Sequence, residues 1–400
     1  MGYEESHPWI SFTPDLSRAP VELWLLAGEV LSKFEHLAGV PLQPEEAQRL
    51  MAVYLAKGAH ATTAIEGNSL TEDQVLQQAQ GRLELPTSQK YLGIEVANIL
   101  EATNDILARH LEGQRLTLDV TQLHAFNRQV LRGLELPPEV RPGEIRDYSV
   151  GVADYRAAPP RDLAGLLEKF MEWLNRPWLA PLRPSVHCDL DKLEALLKAI
   201  VGHVYVAWIH PWGDGNGRTA RLLEFYILVR SGIPVPACHL LSNHYNQTRA
   251  EYYRQLSQAS KSGGDVLPFC VYALRGMADQ LRQQLQFVKN DQALLFWQNH
   301  VHQALGESPR GRRLTHLTLD LAGSGHPAAR AGLLDISPRV ARDYADKGEK
   351  TLNRDVDELI RRGLLHESAD GLRARTEIVL AYLPPVAPAR TRDGPEKSGS

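Results

Sequence analysis

The chain has 400 residues, of which 43% are hydrophobic and 23% charged, and its formal net charge at pH 7 is −4. This composition is typical of a globular protein and excludes wholesale disorder, and the length is enough for two or three domains. The acidic balance excludes a basic nucleic-acid coat for the chain as a whole. There is no run of about 18 apolar residues and no secretory signal at the start, so we expect a cytoplasmic protein without a membrane partner.

The early and central parts of the chain read as helices. Apolar residues repeat at steps of three and four in the segments Val21 to Leu37, Glu45 to Ala56, Leu92 to Leu107, Val120 to Leu131, Leu163 to Leu174, Leu190 to Trp208 and Ala220 to Val229. A weak alternation from Ile145 to Tyr155, between prolines, predicts a short hairpin or an extended flap. The sequence therefore predicts a mainly α protein with one short β-hairpin flap.

The three cysteines, Cys188, Cys238 and Cys270, are far apart in the sequence, and none belongs to a CxxC pair. Their odd number argues against a disulfide framework, and their spacing argues against a structural zinc site. We therefore expect reduced thiols that are mostly buried.

The composition changes near residue 306. From Gly306 to the end, 16 Lys and Arg stand against 14 Asp and Glu, whereas the preceding residues carry 28 against 34. An amphipathic helix from Thr351 to Leu365, followed by an Ala-Asp-Gly turn, favours a small winged helix-turn-helix between Leu314 and Leu380. Its arginines would contact DNA phosphates, but the excess of two positive charges is small for a DNA-binding domain, so a regulatory or dimerising domain is the alternative.

The segment from His210 to Arg221 carries the clearest chemical signal. Three glycines within five residues precede a helix, and successive N–H groups at such a place form an anion-binding nest. Arg218 and Arg221 share one face of that helix, Asp214 is suited to hold Mg²⁺ against phosphate oxygens, and His210 can take a proton near neutral pH. The segment predicts a site for a metal-bound polyphosphate beside a base. A plain glycine-rich turn with solvated arginines is the simpler alternative.

The same segment resembles the signature of the Fic family, His-x-Phe-x-Asp/Glu-Gly-Asn-Gly-Arg-x-x-Arg, with Trp212 at the Phe position. The resemblance covers roughly residues 50 to 275 and includes Pro142-Gly143-x-x-Arg146 at the entry to the flap. It implies a Fic-type helical bundle that transfers AMP from ATP to a Ser, Thr or Tyr hydroxyl of a protein, or of the chain itself. A Lys marks the kinase-like branch of the family where this chain has Gly217, which favours nucleotidyl transfer.

The resemblance also implies a role for each residue of the motif. His210 would deprotonate the target hydroxyl, and Asp214 would bind Mg²⁺, with Mn²⁺ as the alternative. The anion hole would be lined by Gly215, Asn216 and Gly217, the β-phosphate would be contacted by Arg218, and the γ-phosphate by Arg221. Tyr253 resembles a residue near the adenine pocket, whereas Tyr252 and His203 are interpreted as core residues.

An upstream segment, Thr62 to Asn68, reads by itself as the end of a helix. Thr62, Glu66 and Gly67 match the inhibitory motif of the Fic family, Ser/Thr-x-x-x-Glu-Gly/Asn. The resemblance implies that Glu66 pairs with Arg221 and keeps it from the γ-phosphate. The same glutamate would otherwise orient a water molecule, so that the enzyme removes AMP from a modified protein, either mainly or in addition to transfer.

Two positions in the hairpin region, Val150 and Val152, are predicted to hold the target segment by strand addition, although an ordinary edge hairpin explains them equally well. The resemblance divides the chain into an N-terminal helical region with the inhibitory motif (1–90), a Fic catalytic core (91–290), a winged-helix-like domain (291–385) and a disordered tail (386–400). It also implies that a homodimer is common among similar proteins. The competing hypothesis is a nucleotide-sensing, DNA-binding regulator without transferase activity.

Overall fold

The computed structural model describes residues 2–40, 44–152, 155–179 and 189–379. The chain forms two compact units, Met1–Leu285 and Gln286–Ser400, each with its own hydrophobic core. The division of the first unit at residue 90 stays a prediction. The predicted tail from residue 386 and Cys188 lie outside the described residues, whereas Cys238 and Cys270 are buried free thiols.

The first unit is mainly α-helical, as the periodicity predicts. Its helices are α1 (Tyr3–Ser6), α2 (Val21–Ala38), α3 (Pro44–Ile65), α4 (Glu72–Ala79), α5 (Lys90–Leu111), α6 (Val120–Val130), α7 (Leu163–Asn175), α8 (Leu190–Ile209), α9 (Asn216–Arg230), α10 (Leu240–Gln247) and α11 (Arg249–Lys261). The long helix α12 (Leu267–Leu305) contains the boundary between the two units.

Helices α8 and α9 form the centre of the first unit, and they pack against each other along their length. Nearly every residue of both helices is buried: α8 is largely apolar, whereas α9 buries the polar side chains of the motif together with its apolar residues. Trp212, in the turn between them, is completely buried and donates its indole N–H to His124 Nδ1 at 3.1 Å. The central core therefore fixes the turn that carries the motif.

The predicted flap is present as a short antiparallel hairpin. Strand β1 (Gly151–Val152) pairs with β2 (Tyr155–Arg156), and Gly151 lies opposite Arg156. The pairing continues on one side, where the Ala157 amide donates to the carbonyl of Val150 at 3.2 Å.

The second unit contains α13 (Pro309–Ser324), α14 (Pro338–Tyr344) and α15 (Glu349–Arg361), followed by a hairpin of β3 (Leu365–Ser368) and β4 (Gly371–Ala374). Asp355 is completely buried in it and accepts hydrogen bonds from Arg310, Arg313 and Tyr344. The helices and the hairpin follow the predicted order, and the assignment to the winged-helix class stays a prediction. None of the helices within the described residues is long and apolar enough to cross a membrane.

Candidate active site

The turn between α8 and α9 has an unusual backbone at its first residue. His210 ends α8 in the left-handed region, with φ of 49°, while its amide still donates to the carbonyl of Val206 at 2.9 Å. A residue with a Cβ rarely adopts this backbone conformation, because the Cβ comes too close to the following carbonyl oxygen. Gly215, with φ of 75°, turns the chain back into α9. The two left-handed residues bracket the loop and place the imidazole at its mouth.

Asn216 closes this loop from within. Its side-chain oxygen accepts from the Trp212 amide at 3.1 Å, and its side-chain nitrogen donates to the Trp212 carbonyl at 2.9 Å. Its amide group is therefore used by the loop itself, so Asn216 can line an anion site only through its backbone. The first hydrogen bond within α9 runs from the Thr219 amide to the carbonyl of Gly215 at 2.9 Å. The amides of residues 216–218 precede it, as in helix N-termini that bind anions.

Asn127 on α6 supports the loop from outside, and the sequence analysis did not identify it. Its side-chain nitrogen donates to the carbonyl of Asp214 at 3.0 Å and to Thr219 Oγ1 at 3.3 Å, and its oxygen accepts from the Gly143 amide at 2.9 Å. The side chain is completely buried. Asn127 thus ties the motif to the segment that leads into the flap.

Glu66, at the end of α3, lies in the predicted anion cradle. Its Oε1 accepts from Arg221 Nη2 at 2.5 Å, and a Cβ at Gly217 would overlap the same oxygen. Arg221 also donates to Thr62, from Nε to Oγ1 at 2.7 Å and from Nη2 to the carbonyl at 3.0 Å. Burial raises the pKa of Glu66, but the charge and hydrogen bond of Arg221 outweigh it and hold the pKa below its ordinary value. The carboxylate is therefore ionised at neutral pH.

A second acidic residue holds the other arginine of the motif. Arg218 Nη1 donates to Glu95 Oε1 on α5 at 2.9 Å, and its Nη2 lies 3.3 Å from Asp214 Oδ1. Asp214 Oδ1 also accepts from the Gly215 amide. The side chain of Asp214 is 45% exposed, whereas that of Arg218 is 6% exposed, so the aspartate is the more accessible of the two.

His210 is partly buried, and burial lowers the pKa of its imidazole to about 4, with a contribution from the nearby charge of Arg146. Arg146 itself joins the motif to the flap. Its Nε donates to the carbonyl of His210 at 2.8 Å, and its two terminal nitrogens donate to the carbonyls of Tyr148 and Ala158 at 2.5 and 2.6 Å. The histidine is therefore neutral at physiological pH and is held in register with the flap.

An open cavity of about 1490 Å³ brings five of the predicted residues together, whereas Thr62, Arg218 and Arg221 line another cavity. The lining of the open cavity includes Glu66, His210, Gly217 and Tyr253, together with Tyr155 of the flap. Ser6, His7 and Trp9, from the start of the chain, form part of the wall, and the sequence analysis did not identify them.

His7 fixes this wall to the flap, because its Nε2 forms a 2.7 Å hydrogen bond with the carbonyl of Arg156. The flap is held from its other side by the Tyr155 hydroxyl, which donates to the carbonyl of Trp208 on α8 at 2.9 Å. The wall and the flap are thus both joined to the elements that carry the motif.

The aromatic residues on α11 differ in their environment. Tyr253 is 42% exposed, and its hydroxyl lies 3.4 Å from the carbonyl of Ile65, next to Glu66. Tyr252 is buried and forms a 2.8 Å hydrogen bond with His203 Nε2. Val150 pairs with Ala157 through its backbone, and Val152 lies in β1; that these two residues hold a target segment stays a prediction.

Within the described residues, no group of three or more His, Cys, Asp or Glu side chains is arranged to hold a metal ion. Asp214 offers one accessible carboxylate. Mg²⁺ is often held in this way, with one or two carboxylates and the remaining ligands supplied by substrate phosphates and water. The donor set fits a magnesium ion that arrives with a nucleotide.

Comparison with known proteins identifies the central part of the first unit. Residues 117–228 match the model of the Fic/DOC family. These residues are therefore similar to the Fic/DOC family. The matched range includes the whole of the motif and ends within α9, whereas Glu66 and Glu95 lie before it.

Two curated relatives are similar over a larger part of the chain. The protein adenylyltransferase Fic of Nematostella vectensis is 28% identical over 264 residues, which cover 64% of this chain and 56% of the relative. The protein adenylyltransferase fic-1 of Caenorhabditis elegans is 25% identical over 277 residues, covering 69% and 49% respectively. The chain thus spans about half the length of the curated relatives that it matches.

Solved structures share the fold. A Fic family protein from Desulfovibrio desulfuricans G20 aligns with a TM-score of 0.54 and 21% identity, over 88% of this chain and 93% of that one. Residues 134–508 of Fic-1 from C. elegans align with a TM-score of 0.51 and 23% identity, over 66% and 72%. The predicted Fic-type helical fold is therefore confirmed.

Proposed function

We propose that the chain is a protein adenylyltransferase, which transfers AMP from ATP to a hydroxyl group of a protein. One observation carries the proposal: a neutral histidine lines the same cavity as Asn216 and Gly217 at the start of α9, and the same helix carries Arg218 and Arg221. An imidazole beside an anion site is what the transfer of a phosphate-bearing group to a hydroxyl requires. The names of the curated relatives support the same activity.

In the proposed reaction, the oxygen of a Ser, Thr or Tyr hydroxyl attacks the α-phosphorus of ATP, and the bond from that phosphorus to the bridging oxygen breaks. Pyrophosphate leaves with the electron pair. The hydroxyl proton goes to the imidazole of His210, which can accept it because burial lowers its pKa to about 4 and keeps it neutral. The backbone amides at the start of α9, with Arg218 and Arg221, stabilise the charge of the leaving phosphates.

Asp214 is the residue that would hold Mg²⁺, with Mn²⁺ as the alternative. When bound, the metal ion neutralises negative charge on the phosphates. Tyr253, exposed at the wall of the cavity beside the first turn of α9, is placed in this proposal beside the adenine, and the flap residues Val150 and Val152 are placed beside the target segment.

We propose further that Glu66 inhibits the transfer. Its carboxylate accepts from Arg221 and lies against Gly217, so a γ-phosphate and Glu66 would compete for one guanidinium. Thr62 holds the same guanidinium in that position, and the turn at Gly67 ends the helix that presents Glu66. The described conformation is then the resting state of the enzyme.

A second candidate activity is the removal of AMP from a modified protein. The observation that favours it is that Glu66 is ionised and lines the same cavity as His210. An ionised carboxylate in that place can orient a water molecule for attack on the α-phosphorus. We place this activity second, because the paired Arg221 explains the position of Glu66 without it.

Neither DNA binding nor a dimer enters the proposal. Arg361 and Arg362 are paired with Glu358, and Arg373 and Arg375 lie within 4 Å of Glu377. Arginines paired in this way offer less charge to phosphates than their number indicates.

The decisive experiment uses ATP labelled at the α-phosphate, with Mg²⁺, and compares the intact chain, Glu66→Gly, and Glu66→Gly combined with His210→Ala. We expect label on protein to rise in Glu66→Gly and to vanish in the double variant. His110→Ala in the Glu66→Gly background is the matched control and should keep the label, since His110 is on α5 outside the cavity. Absence of label in every variant, with ATP binding intact, would exclude transfer as proposed and leave removal of AMP to be tested.

A further inference from the structure

One carboxylate in the first unit has partners in both regulatory and phosphate-binding segments. Glu95 Oε1 accepts from Arg218 Nη1 at 2.9 Å, and its Oε2 accepts from Asn68 Nδ2 at 2.9 Å. Arg218 belongs to the motif on α9, and Asn68 follows Glu66 and Gly67 directly. Glu95 therefore connects two segments that are 150 residues apart in the sequence (218 − 68).

Asn68 is fixed on every side of its amide group. Besides Glu95, its nitrogen donates to the carbonyl of Leu92 at 3.0 Å, and its oxygen accepts from the Leu70 amide at 3.1 Å. The residue is only 8% exposed. Asn68 lies two residues after Glu66 in the turn that follows α3, so its side-chain hydrogen bonds hold the turn next to the inhibitory carboxylate.

Glu95 also holds the guanidinium of Arg218 in position. Arg218 is 5% exposed; its Nη1 is held by Glu95, its Nη2 lies 3.3 Å from Asp214 Oδ1, and its Nε has no hydrogen-bond partner within the part of the chain that the structure describes. A guanidinium that is already oriented loses less side-chain entropy when it binds a phosphate. Glu95 therefore fixes a phosphate ligand in advance.

We propose that Glu95 is a positioning residue shared by the inhibitory turn and the phosphate site: one oxygen holds Asn68, and thereby Glu66, while the other orients Arg218. The inference rests on the proposed function, since it takes a nucleotide phosphate as the ligand of Arg218. The inference goes beyond the proposed function because it assigns to the side chain of Glu95 two effects of opposite sign on the affinity for ATP. Through Asn68 it weakens binding, and through Arg218 it strengthens binding.

Two substitutions separate these effects. In Glu95→Gln the remaining oxygen faces the cationic Arg218, so the new amide nitrogen faces the nitrogen of Asn68, and two donors meet. That variant breaks the contact with the turn and keeps an acceptor for Arg218, whereas Glu95→Ala removes both. Glu101→Gln is the matched control, because Glu101 is on the same helix in an exposed pair with Arg132.

The test measures the dissociation constant of ATP by calorimetry on the full chain, with Glu66 intact and with Glu66→Gly. With Glu66 intact, we expect Glu95→Gln to tighten ATP binding about three- to tenfold, because the inhibitory carboxylate is less firmly held. In the Glu66→Gly background, Glu95→Gln should change binding by less than about twofold, and Glu95→Ala should weaken it about three- to tenfold. Glu101→Gln should change binding by less than about twofold in both.

Hydrogen exchange of the amides of Asn68 and Leu70 gives a second reading that needs no nucleotide. Glu95→Gln should accelerate it, and Glu101→Gln should not. Unchanged exchange in Glu95→Gln, or an effect of Glu95→Gln on ATP binding that is the same in both backgrounds, would overturn the proposal. If Glu95→Gln fails to fold, Asn68→Asp replaces it as the variant that breaks the contact with the turn, and equal ATP binding by Asn68→Asp and the intact chain would also overturn the proposal.

These readings also distinguish the two proposals. Shifts in ATP binding and exchange without any transferred label would refute the proposed transferase activity and leave the role of Glu95 intact. Transfer of label to protein, with unchanged hydrogen exchange in Glu95→Gln, would support the proposed transferase activity and refute the role of Glu95.

Discussion

Replacing Glu66 by glutamine tests how a single charge in the cavity governs nucleotide affinity. Arg221 is 2% exposed and donates three hydrogen bonds to described residues, of which only the one to Glu66 joins opposite charges. A hydrogen bond between charged groups contributes about 1.5 to 3 kcal/mol, and a neutral one about 0.5 to 1.5 kcal/mol. Glu66→Gln keeps the shape and the acceptor but removes the charge, so the resting contact should weaken by about 1 to 2 kcal/mol.

The weaker contact between residue 66 and Arg221 should increase the affinity for ATP, because in the proposed function this contact must break before a γ-phosphate can reach Arg221. A change of 1 to 2 kcal/mol corresponds to tighter ATP binding by about five- to 30-fold. The side chain of Glu66 is 33% exposed, which favours the lower part of this range. The free energy of unfolding should fall by about the same 1 to 2 kcal/mol, so stability and affinity should change in opposite directions.

Calorimetric titration with ATP and ADP measures the change in affinity, and urea unfolding measures the change in the free energy of unfolding. ADP lacks the γ-phosphate, so Glu66→Gln should change its affinity by less than about twofold. An equal gain for ATP and ADP would refute the reasoning, since it would show that Glu66 limits access to the whole cavity. A loss of stability without any gain in ATP affinity would refute the competition for Arg221.

Three further predictions concern stability. Burial lowers the pKa of His210 to about 4 and that of His239 to about 3, so the unfolded chain binds more protons than the folded chain just below pH 6.5. The urea midpoint should therefore decrease as the pH is lowered from 7 to 5. His239→Asn should reduce that decrease by about half. Asn127→Leu leaves buried loop groups unpaired and should lower the free energy of unfolding by about 2 to 4 kcal/mol at unchanged m. Asp355→Asn should lower the free energy of unfolding by about 3 kcal/mol because two arginines lose their counter-charge, whereas Asp357→Asn, at an exposed position, should lower it by less than about 0.5 kcal/mol. Equal urea midpoints for Asp355→Asn and Asp357→Asn would contradict the role of burial.

Local patterns predicted the helices and the motif well. The apolar repeat from Leu190 to Trp208 and the glycines at residues 213–217 each depend on neighbours a few positions away, and both appear in the structure as expected. The Glu66–Arg221 contact was reached through the family resemblance. Nothing in the spacing of residues 155 positions apart indicates a contact.

The features that the sequence analysis missed depend on contacts between distant segments. Asn127 appears in the sequence as one more polar residue on an amphipathic helix, and only the packing of α6 against α9 makes it a partner of the motif. His7 and Trp9 lie before the first periodic segment, so no pattern assigns them to the cavity. Helix α3 continues past Ala56, where the apolar repeat stops, because small and polar residues there are buried by α10 and α5; it ends at Ile65, within the segment predicted as a helix end.

The left-handed backbone of His210 has an evolutionary consequence. A residue with a Cβ in this conformation is less stable than glycine by about 1 kcal/mol or more. Random substitution at this position would therefore find glycine, a variant that folds better and carries no base. Under the proposed function, the histidine is kept in this conformation for its chemistry, at the expense of the stability of the fold.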